Sequence, residues 1–374
     1  MPPSTTGNDC DLAIVGAGVV GMALAHGAAG AGARVTILDE GDRAFRASRG
    51  NFALVWVQGK GVGLPPYARW TLGSSDLWPD FAAELEAETG RRLHYERPGG
   101  IDVALDEAEL EERFAGIERL HNAEPRAAAV EKLDRRQLEK LLPHIGPDVV
   151  GGAWCAADAH VNSLKLFDAL HEAARLRGAA YRPNARVERV EPLADGFRLV
   201  TQAGEMRARR VALAAGLDNA RLAPMLGLSA PVKPERGQVM VTEKVQPFLR
   251  HPMGGFRQTD EGGVMIGYSN EDRGYDSGQD WRTMARIAAN AARVFPLLAQ
   301  ARIVRAWAAL RVMSPDGYPI YERTLSGPPA YVVTCHSGVT LAAAHARILG
   351  TAIAREAWPA DDLAPFSARR FAHG

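Results

Sequence analysis

The first forty residues divide into three blocks of hydrophobic and polar positions. Residues 12–15 are four consecutive apolar side chains, which is typical of a strand buried on both faces in a parallel sheet. Residues 22–31 are rich in helix-forming side chains, and residues 34–38 form a second short apolar run. The three blocks together predict a β–α–β unit.

The rest of the chain changes repeatedly between helical and strand spacing. Residues 67–89 have apolar side chains at helical intervals, which predicts one long amphipathic helix, and residues 47–53 are a loop of small, hydrogen-bonding residues. Strands near both chain ends and in the middle predict one sheet built from distant segments, with a second domain inserted between them. Further helices are predicted at 107–121, 134–141, 163–177, 280–295 and 340–358, and strands at 186–191, 197–201, 206–214, 231–244, 263–269, 303–311, 319–322 and 331–334.

Three glycines join the first strand to the first helix, in the spacing Gly16-x-Gly18-x-x-Gly21. Gly16 permits a tight turn, Gly18 lets a pyrophosphate approach the backbone, and Gly21 lets the helix pack close to the strand. The N-terminus of the helix offers free N–H groups and a partial positive charge to phosphates. An acid at the end of the second strand can accept hydrogen bonds from a ribose, and Asp39 is favoured over its neighbour Glu40. The predicted dinucleotide contacts of this unit are Gly16, Gly18, Val19, Val20, Gly21, Asp39 and Glu40.

Composition narrows the possible partners. The chain has 374 residues, of which 47% are hydrophobic, so a sizeable core and two domains are expected. Lysine plus arginine and aspartate plus glutamate both number 44, and this balance argues against nucleic acid or an anionic membrane as a partner. The acid at the strand end disfavours the 2′-phosphate of NADP, but the glycine motif alone leaves NAD and FAD open.

The cysteines and the apolar runs bear on location. The three cysteines, Cys10, Cys155 and Cys335, match no metal-binding spacing, and their odd number argues against a secreted disulfide framework. Glycines and a histidine interrupt the apolar stretch at 12–31, and no basic segment precedes it, so neither a signal peptide nor a membrane helix is predicted. A cytoplasmic protein with no metal site is expected.

Several short motifs, in order along almost the whole chain, resemble one family. The chain is similar to the D-amino-acid oxidase-like FAD-dependent oxidoreductases, which include glycine oxidase, sarcosine oxidase and D-amino acid dehydrogenases. Residues 50–61 look most like the β subunits of opine oxidase and hydroxyproline dehydrogenase. Besides the glycine motif, the shared segments are Ser48-x-x-Asn51, Pro98-Gly99-Gly100, His160-Val161-Asn162, Ala214-Ala215-Gly216, Arg236-Gly237-Gln238, Arg311-x-x-x-Pro315-Asp316-Gly317, His336-Ser337-Gly338-Val339-Thr340 and Pro365-Phe366 with Arg370-Phe371.

The resemblance implies a fold with two domains. One is an α/β FAD-binding domain, Rossmann-like and of the glutathione-reductase type, built from residues 1–62, 145–225 and 310–374. The other is an α+β substrate domain with a mixed antiparallel sheet, built from residues 63–144 and 226–309. The substrate domain would cover the flavin ring.

The resemblance also implies how the cofactor is held. The glycine motif would bind the pyrophosphate, and a helix starting near Thr340 would stabilise negative charge on reduced flavin. Covalent members of the family have a cysteine shortly before the Pro-Asp segment, and residues 307–314 contain none, so the FAD is expected to be non-covalent. The remaining implied contacts are Ser48, Asn51 and Phe52 beside the pyrophosphate and flavin, Val187 at the adenosine, Ala215 and Gly216 close to the cofactor, and Gly338, Val339 and Thr340 at the N1/O2 edge of the flavin.

Two residues are candidates for the substrate. Arg311 matches the arginine that binds the substrate carboxylate in glycine oxidase-like enzymes, and a guanidinium pairs well with a planar carboxylate; the alternative is a surface ion pair. His336 is placed near the flavin and the substrate amine, with a structural histidine as the alternative. Arg49 and Lys60 could line the site, although solvated surface is favoured for both, and Cys335 is expected to be a buried small residue.

The expected reaction is oxidation of the Cα–N bond of an amino acid or N-substituted amino acid, giving an imine that water hydrolyses. Met265 occupies the position of a lysine that promotes reaction with oxygen in sarcosine oxidases, which weakens the oxidase interpretation. The β-subunit resemblance implies hetero-oligomeric electron-transfer partners. The alternatives are an NAD-dependent dehydrogenase, a flavin monooxygenase and a non-catalytic FAD-binding subunit.

Overall fold

The structure is a computed structural model that describes residues 8–41, 46–267 and 269–372. Its strands, in chain order, are β1 (Cys10–Val15), β2 (Val35–Leu38), β3 (Leu54–Val55), β4 (Gly100–Ala104), β5 (Glu131–Asp134), β6 (Gly151–Cys155), β7 (Ala159–His160), β8 (Ala180–Arg182), β9 (Val187–Leu193), β10 (Gly196–Thr201), β11 (Gly204–Leu213), β12 (Lys233–Lys244), β13 (Phe256–Gln258), β14 (Gly263–Gly267), β15 (Ile303–Met313), β16 (Ile320–Arg323) and β17 (Ala330–Thr334).

The helices connect these strands and cover the sheets. The α-helices are α1 (Val19–Gly30), α2 (Ala47–Gly50), α3 (Pro65–Thr89), α4 (Glu107–Ala123), α5 (Arg135–Leu141), α6 (Ser163–Leu176), α7 (Asn219–Leu222), α8 (Trp281–Val294), α9 (Ala342–Ala344), α10 (Thr351–Ala354) and α11 (Ala360–Leu363). Short 3₁₀ turns lie at Gly216–Asp218, Ala223–Leu226, Pro296–Gln300, Ala364–Phe366 and Ala368–Phe371, and His345–Gly350 is a π-helical segment.

The predicted β–α–β unit is confirmed, and its first strand lies in the interior of a large sheet. The strand order is β16-β17-β11-β1-β2-β8, and β9 and β10 extend β11 as an antiparallel meander. β1 pairs in parallel with β11 and β2, while β17 and β8 continue the parallel arrangement on either side. The carboxyl ends of β1, β2, β11 and β17 therefore open at one edge of the sheet, where α/β folds bind their ligands.

Antiparallel sheets form the second part of the molecule. One has the order β13-β14-β12-β15, and another has the order β4-β6-β5. A bridge between Ile101 and Met253 links the second of these sheets to the segment before β13. A two-stranded ribbon of β3 and β7 lies in the first half of the chain. The combination of an α/β sheet with an antiparallel part confirms the predicted fold class.

The predicted domain boundaries stay a prediction. The strands of the large sheet come from the three segments assigned to the cofactor domain, and the β12–β15 sheet comes mainly from residues 226–309. Two elements fit this division less well. β6 belongs by sequence to the segment 145–225 but pairs with β4 and β5, and α3 contributes Trp78 and Phe81 to the core around β1 and α1.

The helix near the C-terminus packs unusually close to α1. A Cβ atom on Gly27 would lie 1.8 Å from the carbonyl oxygen of Ala346, and one on Gly350 would lie 2.6 Å from that of Leu24. Both contacts fall on the π-helical segment His345–Gly350, and such segments occur mostly as short insertions in α-helices. Glycine is therefore required on both helices for this approach.

Three predicted elements differ from the structure. The predicted loop at 47–53 contains the one-turn helix α2, and the predicted helix at 340–358 begins only at Ala342, ends at Ala354 and is π-helical in its middle. The strand predicted at 263–269 is observed as Gly263–Gly267, and Tyr268 lies outside the described residues. Among the helices of the described segments, none has the length and apolarity needed to span a bilayer.

Candidate active site

The carboxyl edge of the parallel strands opens into a cavity of about 1820 Å³. Of the predicted site residues, Gly21 lies behind the cavity wall, and the others line it. The lining residues from that set are Gly16, Gly18, Val19, Val20, Asp39, Glu40, Ser48, Asn51, Phe52, Val187, Ala215, Gly216, Arg311, His336, Gly338, Val339 and Thr340.

The glycine turn after β1 leaves no space for side chains. Gly16 has a φ of +104°, and a Cβ there would lie 2.4 Å from the carbonyl oxygen of Ala214. A Cβ on Gly18 would lie 2.8 Å from Oγ of Ser48, and one on Gly21 would lie 1.9 Å from the carbonyl oxygen of Gly16. The first turn of α1 contains no acidic side chain, so its positive end is free to attract phosphate.

The two acids after β2 have different environments. Oδ2 of Asp39 accepts the backbone N–H of Ala17, and Oδ1 accepts that of Gly41, both at 2.8 Å. These bonds fix the carboxylate at the end of the glycine turn, and each oxygen keeps a lone pair for a ribose hydroxyl. Glu40 instead forms an ion pair of 2.6 Å with Arg46.

The polar residues after α1 shape their own loop. Oγ of Ser48 accepts the backbone N–H of Val19 at 2.9 Å, which ties this loop to the start of α1. The amide of Asn51 donates to the carbonyl of Ser48 at 2.8 Å and accepts from the N–H of Ala53 at 2.7 Å. The carbonyl of Phe52 accepts from Nε of the buried Arg257 at 3.1 Å. Ser48 and Asn51 therefore act first as loop-forming residues at the cavity.

The turn after β11 depends on a residue that the sequence did not single out. Asn219 is fully buried, and its Oδ1 accepts the backbone N–H of Ala215 at 2.9 Å. This bond holds the turn that ends at Gly216, whose φ is +60°. Val187 contributes its carbonyl to Arg221 at 2.7 Å on the same side of the cavity. The Asp218-Asn219 pair, separated from the glycine by Leu217, is the local pattern that could have indicated such a turn.

The segment after β17 closes the cavity from the other end of the chain. A Cβ on Gly338 would lie 3.3 Å from Val20, so this segment faces the start of α1. Oγ1 of Thr340 accepts the backbone N–H of Trp56 at 3.1 Å, and its carbonyl accepts from Trp78 at 3.0 Å. Thr340 therefore anchors the segment, and its backbone lines the cavity beside Val339.

Arg311 is paired within the chain. Its Nη1 atom lies 3.0 Å from Oε1 of Glu235, which is its neighbour in register across β12 and β15. The same nitrogen donates to the carbonyl of Ser269 at 2.7 Å and to Oδ1 of Asn270 at 2.9 Å. Glu235 is a second residue that the sequence did not single out, although it directly precedes the Arg236-Gly237-Gln238 motif; its pairing becomes visible only with the strand register.

The surroundings of His336 keep its imidazole ring neutral. Burial, the positive charge of Lys60 and that of Arg311 lower the pKa of His336 to about 3. Lys60 itself lines the cavity, where its Nζ donates to Oγ of Ser337 at 2.9 Å. The preference for solvated surface at Lys60 was therefore wrong. Arg49, by contrast, stacks on the ring of Phe167 at 5.2 Å.

A buried carboxyl group holds the turn that presents Lys60. Asp158 is fully buried, and its Oδ1 accepts the backbone N–H of Val57, while its Oδ2 accepts Nε2 of Gln58 at 2.6 Å. Burial raises the pKa of Asp158 to about 7. No motif surrounds this aspartate, so its role follows only from the fold.

Two sulfur-containing side chains about which the sequence made predictions, Cys335 and Met265, have different surroundings. Cys335, which was expected to be a buried small residue, lines the cavity and is half-buried; burial raises the pKa of its thiol to about 12. Met265, in the middle of β14, accepts from Nη2 of Arg257 through its sulfur at 3.0 Å. Trp307, the first residue of the cysteine-free stretch 307–314, donates to the carbonyl of Gly50 at 3.1 Å.

The cavity fits FAD by its shape and its donors. The glycine turn forms a cradle that any Cβ would fill, and the positive end of α1 points toward it. Asp39 lies beside the glycine turn at the end of β2, and the segment from Gly338 to Thr340 lines the cavity from the other end of the chain. A volume of about 1820 Å³ leaves space for a substrate beside the cofactor.

The fold and the cavity define a flavin-dependent oxidoreductase, and comparison with known proteins gives the family. Residues 11–352 match the family described as DAO, FAD dependent oxidoreductase. The chain belongs to this family, and FAD is its cofactor.

Particular relatives are similar over nearly their whole length. A protein named as one of the subunits of opine oxidase, from Agrobacterium tumefaciens (strain Ach5), is 46% identical over 364 residues, covering 97% of this chain and 98% of the relative. Glycine oxidase from Pseudomonas aeruginosa is 28% identical over 377 residues, covering 95% and 98%. The crystal structure of glycine oxidase from Geobacillus kaustophilus superposes with a TM-score of 0.86 at 24% identity, covering 96% and 98%, and shows the same fold.

Proposed function

We propose that this enzyme oxidises the Cα–N bond of an amino acid or N-substituted amino acid and releases an imine that water hydrolyses. The observation that supports this most directly is that Arg311 and a neutral His336 line the same cavity, with the charge of Arg311 lowering the pKa of His336. The names of the relatives, opine oxidase and glycine oxidase, agree with such a substrate.

In this proposal, Arg311 binds the substrate and His336 orients its amine. Arg311 binds the substrate carboxylate through its guanidinium, since its hydrogen bonds within the described residues all use Nη1 and leave Nε and Nη2 for the substrate. His336 stays neutral at physiological pH because its pKa is about 3, so it can accept a hydrogen bond from the amine without repelling it. When bound non-covalently, FAD would supply a two-electron acceptor, at N5, for the α-hydrogen as hydride. The positive charges of Lys60 and Arg311 disfavour a protonated amine, which has no electron pair to assist the transfer.

A substrate screen tests the reaction class. The purified holoenzyme is mixed anaerobically with glycine, sarcosine, proline, hydroxyproline, D-amino acids and opines, and flavin absorbance is followed. We expect at least one of these amines to bleach the flavin, because its electrons enter the cofactor. If none of them does, the proposed substrate class is wrong.

Replacement of Arg311 tests the carboxylate site. Arg311→Ala should raise KM for the best carboxylate substrate by roughly tenfold to a hundredfold, since a hydrogen bond to a charged group is lost. Arg311→Lys should recover part of the loss. Arg323→Ala is the matched control, because Arg323 lies on β16, is exposed and does not line the cavity. An unchanged KM in Arg311→Ala would remove Arg311 from the site.

We further propose that the chain is the FAD-containing component of a hetero-oligomer and passes its electrons to a partner. The 46% identity to a protein named as one of the subunits of opine oxidase supports this, as do the exposed side chains of Tyr275, Trp281 and Val304, which are 70%, 76% and 64% exposed. The isolated chain should turn over with an artificial acceptor and reoxidise slowly in oxygen. Fast reoxidation by oxygen would contradict a need for a partner, and absence of turnover would favour a non-catalytic subunit.

A further inference from the structure

Lys60 is a cation whose position is fixed by the fold. Its backbone N–H donates to the carbonyl of Val57 at 3.0 Å, and Asp158 holds the same turn through the N–H groups of Val57 and Gln58. At the other end, Nζ donates to Oγ of Ser337 at 2.9 Å. Both ends of the side chain are therefore held, with the ammonium group at the cavity wall.

This ammonium group lacks a counter-ion in the described part of the chain. No carboxylate oxygen of the described residues lies within 4 Å of Nζ, whereas Arg311 has Glu235 at 3.0 Å. The carboxylate of Asp158 raises the pKa of Lys60, but burial lowers it by more, and the oxygens of Asp158 already accept from Val57 and Gln58. A half-buried cation of this kind is stabilised when an anionic group of a ligand binds to it.

Lys60 and Arg311 also belong to the same part of the cavity. Both positive charges lower the pKa of His336, so both lie within electrostatic reach of one imidazole ring. His336, Lys60 and Arg311 all line the cavity. A ligand whose amine meets His336 can therefore present one carboxylate to each cation.

We propose that Lys60 binds a second substrate carboxylate, so that the preferred substrate is a secondary amine with a carboxylate-bearing carbon on each side of the nitrogen. This rests on the proposed function, in which Arg311 takes the first carboxylate and His336 faces the amine. Ser337 orients the ammonium group and is itself hydrogen-bonded with Tyr67, which is buried. Lys60 is thus a specificity-determining residue.

Matched substrates separate the two carboxylate positions. Iminodiacetate and sarcosine differ by one carboxylate on the second carbon branch, and N-(1-carboxyethyl)alanine and N-ethylalanine form a larger pair of the same kind. We expect kcat/KM of the wild-type holoenzyme to be roughly tenfold to a hundredfold higher for the dicarboxylate of at least one pair, since one more charge-assisted hydrogen bond forms. Equal values in both pairs would overturn the proposal.

Variants of Lys60 assign the preference to one side chain. Lys60→Met should lower kcat/KM roughly tenfold to a hundredfold more for the dicarboxylate of a pair than for its monocarboxylate, which removes the preference, while Lys60→Arg should keep most of the preference because the charge remains. Lys132→Met is the control, since Lys132 is exposed and pairs with Glu111 away from the cavity. A preference that survives in Lys60→Met would overturn the proposal.

The affinity of the cavity for one or two carboxylates can also be measured without turnover, using ligands that the enzyme does not oxidise. Thiodiacetate and (methylthio)acetate replace the amine by sulfur and are not oxidised at nitrogen, so calorimetric titration of the holoenzyme reports carboxylate binding alone. We expect the diacid to lose roughly tenfold or more in affinity in Lys60→Met and the monoacid to lose little. Equal losses for both acids, together with a changed flavin spectrum, would place Lys60 against the cofactor and contradict the proposal.

The outcome separates this proposal from the proposed function. If no amine of either class reduces the flavin, the proposed function fails and the second carboxylate position fails with it. If monocarboxylates are oxidised as well as dicarboxylates, the proposed function stands and the role of Lys60 is wrong.

Discussion

At the scale of single residues, the two cations of the cavity differ in how their charge is balanced. Arg311 shares its guanidinium with Glu235 in the neighbouring strand, and among the described residues the ammonium group of Lys60 has only the hydroxyl of Ser337 as a partner. In the proposed function, a substrate carboxylate would therefore meet a partly neutralised group at Arg311 and an unbalanced charge at Lys60. Glu235 weakens the attraction of Arg311 for anions and at the same time fixes where the guanidinium lies.

Removal of the negative charge of Glu235 should strengthen the binding of carboxylate substrates. Glu235→Gln keeps a hydrogen-bond acceptor for Arg311 but removes the competing anion, so KM for carboxylate substrates should fall by about twofold to fivefold, as a partly exposed ion pair is worth little. Steady-state kinetics with the best substrate measures this. An amine without a carboxylate should bind equally to both proteins, and a raised KM would show that Glu235 mainly positions Arg311.

Single residues also show what the sequence could predict. Gly16 and Asp39 were predictable because the cofactor's shape dictates their spacing along one short segment. Glu235 and Asn219 were not, because their partners become neighbours only through strand register or a turn. Lys60 was assigned to the surface because lysine is usually solvated, and its cavity position depends on a carboxyl group about 100 residues away at Asp158.

At the scale of elements, the close packing of α1 against the helix near the C-terminus places both walls of the cofactor cavity. The start of α1 faces the glycine turn, and the residues before α9 form the closing segment. The periodic pattern predicted both helices, but it did not predict the π-helical segment. The spacing of apolar residues does not determine whether a backbone N–H bonds to the carbonyl four or five residues earlier. The spacing of apolar residues also could not show that the helix starts only at Ala342.

Glycine substitutions test this contact. Gly27→Ala should lower the free energy of unfolding by about 1–3 kcal/mol, because its methyl group would overlap the backbone of Ala346. The matched control is Gly73→Ala in α3, where a Cβ would meet nothing within 4 Å; there alanine should stabilise the helix by about 0.5–1 kcal/mol. Denaturant unfolding measures both. Equal effects would show that the helices can separate without cost.

At the scale of the whole molecule, buried histidines connect stability to pH. His345 is fully buried, and its Nε2 shares a hydrogen bond of 2.9 Å with the hydroxyl of Tyr321. Burial lowers the pKa of His345 to about 3 from its usual value of 6.5. The neutral ring therefore contributes stability that is fully present above pH 6.5 and is lost as the pH falls toward 3.

This gives a prediction for the intact protein. Between pH 7.5 and pH 5.0 the requirement for a neutral His345 should cost the wild type about 2 kcal/mol of unfolding free energy, and His345→Gln should escape that cost. The variant should be less stable at pH 7.5, because a buried contact is altered, and the difference should shrink at pH 5.0. Denaturant unfolding at the two pH values measures this, and a constant difference would exclude His345 as the titrating group.

The interior position of β1 has a consequence for synthesis on the ribosome. The partners of this strand are β2, which follows within about 20 residues, and β11, which begins only at Gly204. The closing segment at His336 arrives later still, and at roughly 5–20 residues per second the ribosome needs on the order of 15–60 seconds to reach it after β1 has emerged. During that interval the glycine turn is complete in sequence but lacks the segment that lines the cavity opposite it, so we expect the nascent chain to retain its cofactor only when translation is nearly finished.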